Sequence, residues 1–152
     1  MGKILFIKEH FSGSLLITPS RRTPQIMIDL LNKEFCDKKD VFILDPHSKD
    51  NPYFAMLSLA KRIFVTDDSV SMISEACSSG KQVFIIPLKG LNRGKSQIFI
   101  QNLLDKDLIS ELDGEKTKNP KASSLNETQN IANIIKKDMV STGKFIDSYF
   151  RE

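Results

Sequence analysis

The feature that most constrains this chain is a series of short apolar runs that never alternate with polar residues: Leu15-Leu16-Ile17, Val41-Phe42-Ile43-Leu44, Ile63-Phe64-Val65 and Val83-Phe84-Ile85-Ile86. Successive side chains of a strand point to opposite faces, so a strand with one wet face alternates. Runs rich in β-branched and aromatic residues that stay apolar throughout suit strands covered by helices on both faces of a parallel sheet. The runs begin about 20–26 residues apart, room for one helix in each interval. Pro24 opens the first helical pattern, with Thr23 as its cap and Ile26/Leu30 and Met27/Leu31 paired four apart. Pro52 opens the second, capped by Asn51, with Tyr53, Leu57 and Ala60 on one face. Proline at the first helical position forfeits no hydrogen bond and presets the backbone angle. A third helix is expected from about Ser69 to Ser79, stopping at Gly80, the preferred residue just past a helix end. This beat, β-α-β-α-β-α-β with right-handed crossovers, predicts a three-layer, doubly wound, mostly parallel α/β sheet of Rossmann-like type.

The 152 residues suit one domain with a real core. The core is expected over residues 13–112, a loop over 113–126 and a C-terminal helical segment over 127–152. Within these bounds a fourth helix is expected at Gln97–Leu104 and a short strand near Leu108–Leu112. A last helix at Glu127–Met139 carries Ile131, Ile134 and Ile135, and an apolar tail includes Phe145, Ile146, Tyr149 and Phe150. Residues Met1–Phe11 read equally as strand or helix.

Several function classes drop out on composition. No run approaches the ~20 apolar residues that span a bilayer, and the start is too short for a secretory signal, so a cytoplasmic location is expected. Cys36 and Cys77 have no metal spacing and read as buried, reduced thiols; His10 and His47 likewise suggest no metal. The net charge of +3 is scattered rather than gathered in a basic stripe with aromatics, which speaks against nucleic acid. The densest basic cluster, Lys116–Lys121, reads as a solvated linker.

In open parallel sheets, ligands bind beyond the carboxyl ends of the strands, so the residues directly after each apolar run matter most. Ser20, Arg21 and Arg22 follow the first run and lead into a helix start. Guanidinium groups fork phosphate oxygens in pairs and a helix end offers free N–H groups, so this is a candidate phosphate site. After the third run, Asp68 or Ser69 is expected as N-cap, and Val70, Ile73 and Cys77 should face the core. Ser71, Ser74, Glu75 and Ser78 then share the other face. Glu75 lies about 10 Å from the helix start at 1.5 Å per residue. Its carboxylate can accept from both hydroxyls of a ribose while the phosphates approach the helix start near Ser69 and Ser71. A plain solvated helix residue would look the same. The loop after the fourth run adds Lys89, Gly90 and Gln97 as candidate sugar or phosphate contacts. No P-loop and no GxGxxG is present, and no catalytic residue stands out. A phospho-receiver domain would want an acidic pair after the first strand, where this chain has arginines.

Three segments, Ser20-Arg21-Arg22-Thr23-Pro24, Asn51-Pro52-Tyr53 and Val65–Ala76 followed by Gly80-Lys81-Gln82-Val83, together resemble the C-terminal nucleotide-binding domain of GT-B glycosyltransferases. The likeness is closest to a bacterial and plant family named for a plant mitochondrial fission factor (elongated mitochondria). A weaker likeness reaches the transferase that adds N-acetylglucosamine to the peptidoglycan lipid precursor. The resemblance implies Glu75 at a ribose, Ser69–Ser71 near a diphosphate, Ser20–Arg22 near phosphate and a nucleotide sugar of UDP type as ligand, with no separate cofactor. In that architecture a preceding N-terminal half binds acceptor, and this chain begins almost at the first strand of the second half. The resemblance therefore also implies an N-terminal-half partner chain or a homo-oligomer through the C-terminal apolar segment, peripheral membrane association of the complete system, and no catalytic competence of the chain alone. The competing expectations are a non-catalytic interaction scaffold of the same family and a remnant of a split gene.

Overall fold

The computed structural model describes residues 1–88, 90, 94–114, 117–122, 125 and 131–137. Its elements alternate in the order α1 (Gly2–His10), β1 (Leu15–Ile17), α2 (Gln25–Phe35), β2 (Val41–Ile43), α3 (Tyr53–Leu59), β3 (Arg62–Thr66), α4 (Val70–Ser78), β4 (Gln82–Ile86), α5 (Gly94–Asp105) and β5 (Ile109–Glu111). Residues 131–137 are helical as well. Each strand pair is parallel: β1 with β2 from Leu15↔Val41 to Ile17↔Ile43, β3 with β4 from Arg62↔Gln82 to Thr66↔Ile86, and β4 with β5 from Val83↔Ile109 to Ile85↔Glu111. This is a Rossmann-like α/β fold, with one refinement. The strands form two ladders, β1-β2 and β3-β4-β5, rather than one continuous sheet. With three residues each, β1 and β2 offer few backbone groups for a ladder on a second edge.

The β3-β4-β5 ladder is buried as its continuous hydrophobicity predicts. Ile63, Val65, Val83 and Ile85 form one cluster with Ile73, Ala76 and Cys77 of α4 and with Ile100 and Leu103 of α5. The intervening residues Phe64 and Phe84 point the other way and stack on each other at 5.0 Å, and Phe11 closes over both at 5.0 and 5.7 Å. The ambiguous N-terminal segment is thus a helix, and tertiary contacts decide it. Ile7 and Phe11, four apart, reach one side; Ile7 is buried. Lys3 Nζ donates to the Leu112 carbonyl at 2.8 Å, and Lys8 pairs with Asp40. Helix α1 therefore straps the end of β5 to the entry of β2. The Lys8 ammonium also holds the Asp40 carboxyl below the ordinary carboxylate range.

Several expectations need correction. Leu16 and Phe42, partners across β1-β2, are 38% and 50% exposed, so the second face of this ladder is not covered by a helix among the described residues. Pro24 and Pro52 occupy the N-cap positions of α2 and α3 rather than the first helical turn. The Thr23 hydroxyl accepts from the Ser20 N–H at 3.0 Å instead of capping α2, whereas Asn51 Oδ1 does accept the Tyr53 N–H, at 3.1 Å. Val70 is 41% exposed, and α4 meets the core only from Ile73 onward. Gly80, at φ +72°, ends α4 in the left-handed region as expected. The basic loop is more than a solvated linker. Lys121 N–H donates to Asp107 O, Gln82 Nε2 to Pro120 O and Leu125 N–H to Cys77 O, so its backbone is pinned while Lys118 and Lys121 reach solvent. The described helix 131–137 leaves Ile131, Ile134 and Ile135 about half exposed; Phe145, Ile146, Tyr149 and Phe150 lie outside the described residues.

The two thiols also differ. Cys77 is buried and Cys36 is exposed, because Cys36 follows the last turn of α2 on its outer side. Burial pushes the Cys77 thiol up to about 11. A thiolate-selective reagent at neutral pH should therefore label one cysteine per chain in the native state and two in denaturant. Equal labelling rates for both thiols in the folded protein would contradict this packing.

Candidate functional site

The carboxyl ends of β3 and β4 lie side by side through the pair Thr66↔Ile86, and a buried carboxylate joins the loops that leave them. Asp67 is 1% exposed, and its Oδ1 accepts the Leu88 N–H at 3.0 Å. Asp68 is turned outward, with the Thr66 hydroxyl donating to its Oδ1 at 2.6 Å. The acidic pair thus splits in role. One carboxylate binds loop to loop inside the protein, and only the other faces solvent. Removing Asp67 would strand a backbone donor, so Asp67→Ala is expected to cost about 1–3 kcal/mol of stability. Chemical denaturation of the purified variant measures this, and a loss below a few tenths would refute the structural role.

Helix α4 starts at once from this loop. Ser69 holds the N-cap position without a side-chain bond to the helix, while Asp68 is engaged by Thr66. Ile73, Ala76 and Cys77 are buried, and Ser71, Glu75 and Ser78 are exposed with Ser74 half-buried between them. The expected division of faces therefore holds except at Val70. Ser71 and Glu75 stand one turn apart on the solvent side. Glu75 does not stand alone. The half-buried Tyr53, first residue of α3, turns its hydroxyl to the Glu75 carboxylate, and burial of the ring followed by this carboxylate raises the phenol well above its ordinary value. Tyr53 stays protonated beside this carboxylate, whose exposed oxygens remain open to further donors. The sequence pointed to Tyr53 only as part of Asn51-Pro52-Tyr53. Its partnership with Glu75 spans α3, β3 and α4, and no local spacing encodes it.

The other predicted residues are dispersed. Ser20 organises its own turn: its Oγ accepts the Arg22 N–H at 3.1 Å and its carbonyl accepts the Thr23 N–H at 2.9 Å. Arg21 and Arg22 are exposed, and among the described residues no hydrogen bond or ion pair links them to α4. Gly90 has φ +77°, a backbone state that favours glycine, and Gln97 is exposed on α5. Lys89 lies outside the described residues. A recess of about 200 Å³ opens not at α4 but between α2 and the end of β2. No cluster of metal-ligating side chains occurs among the described residues, and no described helix is long and apolar enough to cross a membrane.

A profile of the mitochondrial fission ELM1 family matches residues 2–139. An uncharacterised protein of Rickettsia prowazekii (strain Madrid E) is 40% identical over 126 residues, covering 79% of this chain and 35% of that protein. The mitochondrial fission protein ELM1 of Arabidopsis thaliana is 33% identical over 135 residues, 86% of this chain and 31% of its own length. The chain thus spans about a third of the length of these relatives. No solved structure matches.

Proposed function

This chain belongs to the mitochondrial fission ELM1 family, and we propose that it binds a nucleotide sugar of UDP type as the donor half of a GT-B-type, glycosyltransferase-like protein. The observation that carries this reading is the exposed Ser71–Glu75 stripe at the carboxyl end of β3, with the half-buried Tyr53 beside the Glu75 carboxylate. An exposed carboxylate beside a neutral phenol can accept both hydroxyls of a diol. Ser69, Ser71 and the first N–H groups of α4 then face the diphosphate, and Arg21 and Arg22 supply the positive charge that Asp68 opposes. In this role the chain holds the donor, and acceptor recognition belongs to the part of the longer relatives that it does not span.

A second reading, an interaction scaffold without ligand, draws on a different observation: the exposed Leu16 and Phe42 on the uncovered face of β1-β2. Contiguous apolar surface of this kind suits a protein partner. The two readings separate in a thermal-shift screen against UDP, GDP, ADP, CMP and their sugar conjugates. Stabilisation by uridine nucleotides that weakens in Arg21→Ala supports donor binding. No shift with any nucleotide, together with concentration-dependent association that Phe42→Ser abolishes, favours the scaffold.

A further inference from the structure

The recess beside α2 belongs to neither reading, and its chemistry is specific. Its floor is apolar, with Ile28 and Leu44 both buried. Its rim carries four planar polar groups: the carboxamides of Gln25 and Asn32, the Asp45 carboxylate and the His47 imidazole. Gln25 Nε2 already donates to Asp29 Oδ1 at 2.9 Å, which orients that carboxamide and leaves its oxygen as an acceptor. Asp45 Oδ1 accepts the His47 N–H at 2.9 Å, and its carbonyl accepts the Ser48 N–H at 3.1 Å. This turn fixes the Asp45 carboxylate and leaves its second oxygen as an acceptor.

Topology makes the position more telling. Leu44 N–H donates to the Ile17 carbonyl at 2.8 Å, so the chain leaving β2 stays attached to the end of β1. The segments that follow, Thr18–Thr23 and Asp45–Ser48, therefore emerge together at one edge. Arg22 lies three residues before Gln25, the first residue of α2. In open α/β sheets an acidic residue after the second strand of a β-α-β unit can accept ribose hydroxyls; here Asp45 holds that position, with Arg21 and Arg22 in the turn after the first strand. Planar side chains that pair with neighbouring hydroxyls, above an apolar floor for the C–H face, fit a sugar ring better than a charged or purely apolar ligand. The volume, about 200 Å³, suits one ring and excludes a whole dinucleotide.

We propose that the recess formed by α2 and the end of β2 binds a single sugar ring through neighbouring hydroxyls, with Asp45 as the principal acceptor and Gln25 and Asn32 as flanking partners. The ring can be a free saccharide unit or the ribose of a nucleotide whose phosphate reaches Arg21 and Arg22. The sugar ring's contacts are separate from Glu75; only the nucleotide alternative shares Arg21 and Arg22 with the donor-binding role.

The test is a ¹H–¹⁵N NMR titration of the full chain with methyl glucoside, methyl N-acetylglucosaminide, ribose and UMP, using glycerol as a control for nonspecific polyol effects. Saturable shifts confined to Gln25, Asn32 and Asp45–Ser48 are expected. Asp45→Ala should weaken them about tenfold or more, and Glu75→Ala should leave them unchanged. Asn32→Ala provides a second variant outside the Asp45 turn, so a fold defect in the first does not blunt the test. Tighter binding of UMP than ribose, lost in Arg22→Ala, assigns the ring to a nucleotide; equal or tighter binding of a methyl glycoside assigns it to a saccharide. Shifts matched by glycerol, shifts unaffected by both rim variants, or no saturation with any probe would overturn the proposal. Shifts centred on Ser71 and Glu75 alone would also overturn it while sparing the donor-site reading.

Discussion

In the Glu75→Ala variant, the thermal shift expected of the parent chain with a uridine nucleotide should fall by half or more, while the unliganded melting temperature stays within about one degree of the parent. Glu75 is exposed on α4, so its loss removes no core packing, and exposed helix substitutions are usually worth less than ~0.5 kcal/mol. A nucleotide at about 100 times its dissociation constant stabilises the native state by ~2.7 kcal/mol, which for a domain of this size is several degrees. If Glu75 accepts the ribose hydroxyl, its removal costs roughly 1.5–3 kcal/mol for a hydrogen bond to a charged group, enough to erase from about half to nearly all of that shift. Tyr53→Phe sharpens the argument. It keeps the ring and its packing and deletes only the hydroxyl beside Glu75, so an intermediate loss of a few-fold in affinity is expected. If Glu75→Ala binds like the parent, the ribose assignment fails. If Tyr53→Phe binds like the parent while Glu75→Ala does not, the carboxylate acts without its phenolic support.

The largest effect on stability is expected at Phe84. Its side chain is fully buried, stacks on Phe64 at 5.0 Å and meets Phe11 at 5.7 Å. Truncation to alanine removes the transfer energy of the ring and leaves a void that the rigid ladder cannot close, together about 3–5 kcal/mol. It also uncouples α1, since Phe11 then packs on Phe64 alone, and Arg62, whose guanidinium lies 5.4 Å over the Phe11 ring, loses the surface that holds its partner. A fall of melting temperature on the order of 10 °C follows, read by circular dichroism against Leu59→Ala. Leu59 is 80% exposed and should change stability by less than ~0.5 kcal/mol. If Phe84→Ala melts within two or three degrees of the parent, α1 does not pack on this face of β3 and β4.

Fold class was written in the chain because burial on two faces leaves a direct mark. The runs at 63–65 and 83–86 are apolar at every position, since Ile63 and Val83 must meet α4 and α5 while Phe64 and Phe84 must meet Phe11. The same inference overreached at β1-β2. Leu16 and Phe42 are equally apolar, yet they remain substantially exposed, because hydrophobicity states what a residue prefers and not whether a covering element arrives. Helix ends were legible to within a residue or two, as at Gly80, where only a left-handed backbone closes α4, except at the start of α5, which lies at Gly94, three residues before the expected Gln97. The N-terminal segment was not. Its state depends on Lys3 reaching Leu112 and Lys8 reaching Asp40, contacts far apart in sequence.

The sequence by itself determined the parallel α/β beat, the outward stripe of α4 carrying Ser71 and Glu75, and kinship with the mitochondrial fission ELM1 family. Each of these rests on local periodicity or on residue identity along the chain. Tertiary structure alone decided that Asp67 turns inward to hold Leu88, that Tyr53 addresses Glu75, and that Asp45 and His47 rim a recess with Gln25 and Asn32. These pairings cross a crossover helix or an adjacent strand, and their energies depend on three-dimensional approach. A side chain's identity fixes its capacity to donate, accept or pack, and only the fold selects the partner.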